Sequence, residues 1–110
     1  MAKITRESDL WVGALSDVLA NTPAIPFGGY SAAVLLLPAS YASTSVEVYT
    51  SDSEDGTYTP LYAADGNQVT LAVGASRAVT LPAACFACRF LKLKTSADDT
   101  ARTVTLSRKG

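Results

Sequence analysis

Polar and apolar residues alternate through the middle and the C-terminal third of this chain. Val46 and Val48 are separated by polar residues, and Val69, Leu71 and Val73 keep a strict period of two. The same alternation returns over residues 89–94 and 103–107. Stretches rich in Asp, Ser and Gly separate these segments at 51–56, 64–67 and 97–99. A period of two between such turns indicates antiparallel β-strands with one buried face.

The pattern predicts about eight short strands. Residues 25–27 form a short edge strand, and the unbroken apolar run in 30–37 predicts a strand covered on both faces. Further strands are expected at about 44–50, 57–62, 67–73, 76–81, 88–95 and 101–108, with Gly74-Ala75 as a tight hairpin between two of them. This spacing predicts an all-β fold, an antiparallel β-sandwich of jelly-roll-like type. Residues that share the inward parity of their strands should form its core: Val46, Val48, Leu71, Leu91, Leu93, Val104 and Leu106.

The first 22 residues follow a different pattern. Apolar residues between Leu10 and Leu19 recur at helical spacing, and Ser8 is placed to cap a helix, whereas Gly13 weakens one by about 1 kcal/mol relative to Ala. An extended arm or a first strand is the alternative. We therefore predict an N-terminal arm or short helix over residues 1–22 and a single β-sandwich domain over residues 23–110.

The same N-terminal segment is the candidate interface. Leu10, Trp11, Leu15 and Val18 offer more apolar surface than a short flanking segment can bury alone. Exposed patches of this kind mark protein contacts, and Trp is over-represented among interface anchors. We predict that these four residues contact another subunit or another protein. The alternative is that the segment folds back over one end of its own sandwich.

Composition narrows the classes of function. The chain has 110 residues, which is enough for one domain, and a net charge of −1 from 9 basic and 10 acidic residues. Without a basic excess, nucleic acid is not an expected partner. No apolar run approaches the roughly 18 residues of a membrane span, and the N-terminus makes a poor signal peptide. We expect the protein to stay in the compartment where it is made, or to leave it as part of a larger assembly.

Candidate chemistry is sparse. The chain contains no histidine, which excludes a Ser-His-Asp triad, and its two cysteines cannot complete a four-ligand zinc site. We interpret Cys85-Phe86-Ala87-Cys88 as two semi-buried thiols at a strand entry, with a local disulfide or a symmetric contact in an oligomer as the alternatives. Asp52, Glu54 and Asp55 before Gly56 fit a turn better than a calcium loop. We expect no cofactor, no metal and no enzymatic activity.

The order of these features resembles a family of small virion proteins of tailed bacteriophages. The resemblance runs over about residues 24–107. It rests on Ile25-Pro26-Phe27-Gly28-Gly29-Tyr30 leading into the strand that ends at Leu37-Pro38-Ala39, then on Asp55-Gly56-Thr57-Tyr58, Leu61-Tyr62, Asp65-Gly66-Asn67 and Arg89-Phe90-Leu91-Lys92-Leu93 before a final Thr-Val-Thr-Leu strand. Residues 1–22 depart from the family's pattern.

Members of that family are β-sandwich proteins that act as capsid cement or head decoration. The resemblance implies a structural protein that bridges neighbouring subunits of the major capsid protein. It also implies a homotrimer on the capsid exterior, made in the host cytoplasm. The alternative is a carbohydrate- or receptor-binding β-sandwich module of a phage fibre or adhesin, which would expose several aromatic residues on one face.

Overall fold

Nine β-strands and two short 3₁₀ helices make up residues 8–110, the part of the chain that the computed structural model describes. The strands are β1 (Ser8–Gly13), β2 (Ile25–Pro26), β3 (Ala32–Leu36), β4 (Ser45–Ser51), β5 (Thr59–Pro60), β6 (Thr70–Ala72), β7 (Ala78–Thr80), β8 (Phe90–Thr95) and β9 (Val104–Lys109). The 3₁₀ helices span Leu19–Asn21 and Ala83–Ala87. None of the helices in this part is long and apolar enough to span a membrane. The all-β prediction is confirmed.

The strands form two antiparallel sheets. The first sheet has the order β1-β9-β3-β7. The second has the order β2-β8-β4-β5, and β6 also pairs with β4. From β1 to β4, and again from β6 to β9, each strand lies in the opposite sheet from the one before it. Within these two stretches, strands that follow one another in sequence therefore lie on opposite sides of the core.

One hydrophobic core lies between the two sheets. All seven residues that share the predicted inward parity are buried, with Val46, Val48, Leu91 and Leu93 at zero exposure. Residues between the strands complete this core, among them Leu15, Phe27, Tyr41 and Cys85. The strand side chains thus alternate between the core and solvent, as in antiparallel sheets with one solvated face.

Two predictions about individual strands are wrong. Gly74-Ala75 does not close a hairpin, because β6 pairs with β4 in the second sheet whereas β7 pairs with β3 in the first. The connection turns through Ser76, whose φ is 57°. The run before Pro38 is covered on one face only: Ala33, Leu35 and Leu37 are buried, whereas Leu36 is 44% exposed.

The N-terminal segment contains a strand where a helix was one alternative. Ser8–Gly13 pairs with β9 along its whole length. The chain then leaves the first sheet and bridges Lys94 of the second at Ser16, whose carbonyl accepts a hydrogen bond from the Thr95 N–H at 3.0 Å. The helical spacing arises because a strand and a crossing segment follow one another. The first-strand alternative is confirmed for residues 8–13, and residues 1–7 of the predicted segment lie outside the described residues.

Candidate docking surface

The outer side of the first sheet carries an uninterrupted group of uncharged side chains. Leu106 of β9 faces inward and is level with Trp11 of β1 on one side and with Leu35 of β3 on the other. Because side chains alternate along a strand, the residues directly before and after each of these three face outward. The outer apolar face consists of Leu10, Val12, Ala32, Val34, Leu36 and Ala78, with Thr80, Thr105 and Ser107 among them.

Two rows across the sheet define this face. One row runs Leu10, Ser107, Val34, Thr80, and the next runs Val12, Thr105, Leu36, Ala78. Leu10 is 62% exposed and Val12 is 60% exposed. The charged residue on this side is Lys109, level with Ala32 at the rim, and a shallow depression of about 210 Å³ lies beside it. The uncharged Thr105 and Ser107 of β9 lie between the apolar residues of β1 and those of β3. Exposed apolar surface is typical of a protein contact.

The outer side of the second sheet is different in character. Lys94 and Glu47 form an ion pair across it at 3.5 Å. The Lys92 ammonium lies 4.7 Å from the centre of the Tyr58 ring. A depression of about 290 Å³ beside the ion pair is lined by polar residues, among them Ser45 and Thr70. The two faces of the sandwich therefore present unlike surfaces, one charged and one apolar.

The four residues predicted as an interface are not brought together. Leu10 lies on the outer apolar face, but Trp11 points inward against the core and Leu15 has no exposed surface. Val18 is exposed beside the second sheet, next to the 3₁₀ helix that contacts β8.

Sequence reasoning missed the other large apolar members of the face, which are the exposed Val12 and Leu36 and the half-buried Val34. The signal was present in the unbroken apolar run 32–37, which has more apolar residues than one buried face needs.

Arg108 fastens β1 to the rest of the sandwich. Its guanidinium is buried, donates to the Pro26 carbonyl of β2 at 2.6 Å, and pairs with the Asp9 carboxylate of β1 at 3.1 Å. The guanidinium also lies 4.5 Å from the centre of the Tyr30 ring. The other oxygen of Asp9 accepts the Leu10 N–H at 2.8 Å. One buried side chain thus connects the two sheets at the start of β1 and the end of β9.

The cysteine motif places one thiol in the core and one beside it. Cys85 lies in the core and Cys88 is half-buried, and both are free thiols. Burial, with a smaller contribution from Cys88, raises the pKa of the Cys85 thiol to about 12, so the thiol stays protonated at neutral pH. Within residues 8–110 no three side chains of the metal-binding types lie close enough together to hold a metal ion.

Asp99 is a fully buried carboxylate near the last turn. It accepts hydrogen bonds from the backbone N–H groups of Ala42 at 2.8 Å and Ser43 at 2.9 Å, and from the Ser43 hydroxyl at 2.5 Å. Burial alone would raise the pKa of Asp99, but these hydrogen bonds and the nearby Arg102 hold it below its usual value. The carboxylate is saturated with donors, so it holds the loop before β4 against the turn after β8 and offers nothing to a substrate.

Comparison with known proteins relates this chain by fold. No protein-family model matches the sequence, and no curated protein matches it. Among solved structures, the crystal structure of the SPBc2 prophage-derived protein YomS matches with a TM-score of 0.62. The match covers 100% of this chain and 99% of YomS at 13% sequence identity. The two proteins share one fold over their whole lengths.

Proposed function

We propose that this protein is a structural virion protein of a tailed bacteriophage that decorates the capsid exterior and stabilises it by bridging neighbouring capsid subunits. The observation that carries the proposal is the outer apolar face, a sheet surface whose charged residue, Lys109, lies at the rim. The fold shared with a prophage-derived protein supports a phage origin. The succession of strands in opposite sheets fits a jelly roll, a fold used by viral capsid proteins.

In this proposal the protein has a structural role and catalyses no reaction. It needs a stable sandwich, a surface that excludes water against the major capsid protein, and self-association on the shell. The resemblance implies three copies in each oligomer on the shell. The protein is made in the host cytoplasm and takes its place on the capsid exterior.

Binding to particles that lack the protein tests the proposal. Leu36→Lys places a charge in the outer apolar face and should weaken adsorption about tenfold or more, because the apolar contact is lost and a charge is desolvated. Ala72→Lys is the matched control, since it adds the same charge to an exposed position of β6 in the second sheet. A gel of purified particles, scaled to the major capsid protein, should show the protein at high copy number. Equal adsorption of the two variants, or a copy number typical of a fibre, would contradict the proposal.

A carbohydrate- or receptor-binding fibre module remains the alternative function. It requires several aromatic residues exposed on one face. Within residues 8–110 Tyr62 is the strongly exposed aromatic, at 59%. The Tyr58 ring is covered by Lys92 and its hydroxyl donates to the Glu54 carbonyl at 2.9 Å. The aromatic side chains thus favour this alternative less than the apolar face favours docking to a protein.

A further inference from the structure

We infer that two copies of this chain associate through β1, whose exposed edge pairs antiparallel with β1 of the second copy about a twofold axis at Trp11. The inference rests on the proposed function only in that both use the outer apolar face. It concerns the isolated protein, so either can fail without the other.

The edges of the two sheets are unequal. Within residues 8–110, β2 and β5 each contain a proline, Pro26 and Pro60, and β7 has three residues with Pro82 close behind it. Proline and short length are the devices that keep sheet edges from pairing with other chains. β1 has six residues, no proline and no lysine. Its charged residue, Asp9, is paired with Arg108. β1 is therefore the one long edge in this part of the chain that lacks proline, lysine and an unpaired charge.

The backbone of β1 shows which groups point out of the sheet. The Leu10 N–H donates to the Asp9 carboxylate, so it does not point towards β9. In an antiparallel pair, residues whose backbone groups bond to the neighbour alternate with residues whose groups point away. The N–H and C=O of Val12, two residues further on, therefore also point outward and are available to a new strand.

A register centred on Trp11 satisfies both the backbone and the side chains and brings Leu10 and Val12 of both copies into pairs. If Trp11 lies opposite Trp11 of the second copy, Leu10 lies opposite Val12. Each such pair exchanges two backbone hydrogen bonds once the Leu10 N–H exchanges the Asp9 carboxylate of its own strand for the Val12 carbonyl of the second copy. The same register sets the Asp9 carboxylate opposite Gly13, so no like charges meet. Leu10 and Val12 of both copies would form adjacent apolar pairs on one side, and such cross-strand pairs stabilise sheets.

This pairing joins the first sheet of one copy to the first sheet of the other, so that they form one continuous sheet. The outer apolar faces of the copies then become a single continuous surface across eight strands, double the area of either copy. A twofold contact closes on itself, so the assembly ends at two copies.

Analytical ultracentrifugation of the full-length chain from about 1 to about 500 μM tests this, a range suited to weak association. The wild type should reach twice the 11.5 kDa chain mass. Val12→Pro removes an outward N–H that β9 does not use and should weaken association about tenfold or more. Leu36→Lys is the control, because it alters the same face two strands away from the edge and should still pair.

Circular dichroism should show that each variant is folded. If Val12→Pro unfolds, Val12→Lys replaces it, since an edge lysine blocks pairing without a backbone change. A monomer throughout the range overturns the inference, and so does a mass of three chains. Dissociation caused by Leu36→Lys but not by a folded Val12 variant would also overturn it, because the contact would then be face to face.

Discussion

Asp99 shows how a single buried charge is accommodated in a small sandwich. Its folded pKa is lowered, so the carboxylate stabilises the fold fully above its unfolded pKa of about 3.9, and this stabilisation is lost as the pH falls through the folded pKa. Asp99→Asn should cost about 2–3 kcal/mol at pH 7, since hydrogen bonds to a charged group are lost. It should also flatten the fall in stability below pH 4. Denaturant unfolding at several pH values measures both.

Asp98 provides the control for this prediction. It is exposed, and its carboxylate bonds to Thr100 alone through the N–H and the hydroxyl. Asp98→Asn should leave the unfolding free energy at pH 7 much closer to the wild type. Equal effects of the two substitutions would show that the buried network around Ser43 does not hold the loop.

Gly13 is required by the position of a neighbouring ring. A Cβ at residue 13 would lie 2.7 Å from Trp11 Cη2 on the inner side of β1, which is closer than two carbon atoms can approach. Gly13→Ala should therefore displace the indole and destabilise the protein by about 1–3 kcal/mol, as overpacking does. The matched control is Gly28→Ala, where a Cβ would meet nothing within 4 Å. Thermal unfolding and tryptophan emission report the two effects, and a wild-type emission spectrum for Gly13→Ala would contradict this account.

Among the elements, β8 is a central strand of the second sheet and contributes three buried side chains to the core. It pairs with β2 and β4, and Leu91, Leu93 and Thr95 point inward. Leu93→Ala should cost about 2–5 kcal/mol because the cavity lies between two sheets that cannot close over it. Thr70→Ala, on the exposed side of β6, should change stability by less than about 0.5 kcal/mol. Chemical denaturation of both variants tests the register, and a small loss at Leu93 would show that the side chain is not inward.

The sequence predicts the strands better than their partners. A period of two identifies the inward residues of β4, β8 and β9, because one buried face repeats at every second position. It does not say which sheet a strand joins, so β6 and β7 read as one hairpin although they belong to different sheets. The N-terminal pattern misleads for a similar reason, since β1 and the crossing at Ser16 together imitate helical spacing.

The candidate surface was only partly predictable for a related reason. Apolar residues on the outer side of β3 look the same in the sequence as residues buried on both sides of a strand. Only the register with β9 and β7 shows that Val34 and Leu36 face solvent. Leu10 was found because exposed apolar residues were expected near the N-terminus, whereas Leu15, chosen by the same argument, fills the core.

At the scale of the whole molecule, the sandwich separates two tasks. The second sheet carries the charged residues that keep its outer side solvated, including the pair Glu47–Lys94. The first sheet carries the outer apolar face and the long edge of β1. A sandwich with one charged and one apolar outer face binds a surface in one orientation, because only the apolar face gains by leaving water. A sandwich with two charged faces has no such preference.

The pairing of β1 with β9 also bears on protein engineering. Ser8 is level with Lys109, so the described chain starts and finishes side by side on neighbouring strands. A short glycine-rich linker would join these points, and the exposed acidic turn at 52–55 would supply new termini. Such a circular permutant would keep every strand next to its present neighbours. Cargo fused beside Ser8 or Lys109 would emerge at the rim of the first sheet, whereas cargo fused at the new termini would emerge from the acidic turn.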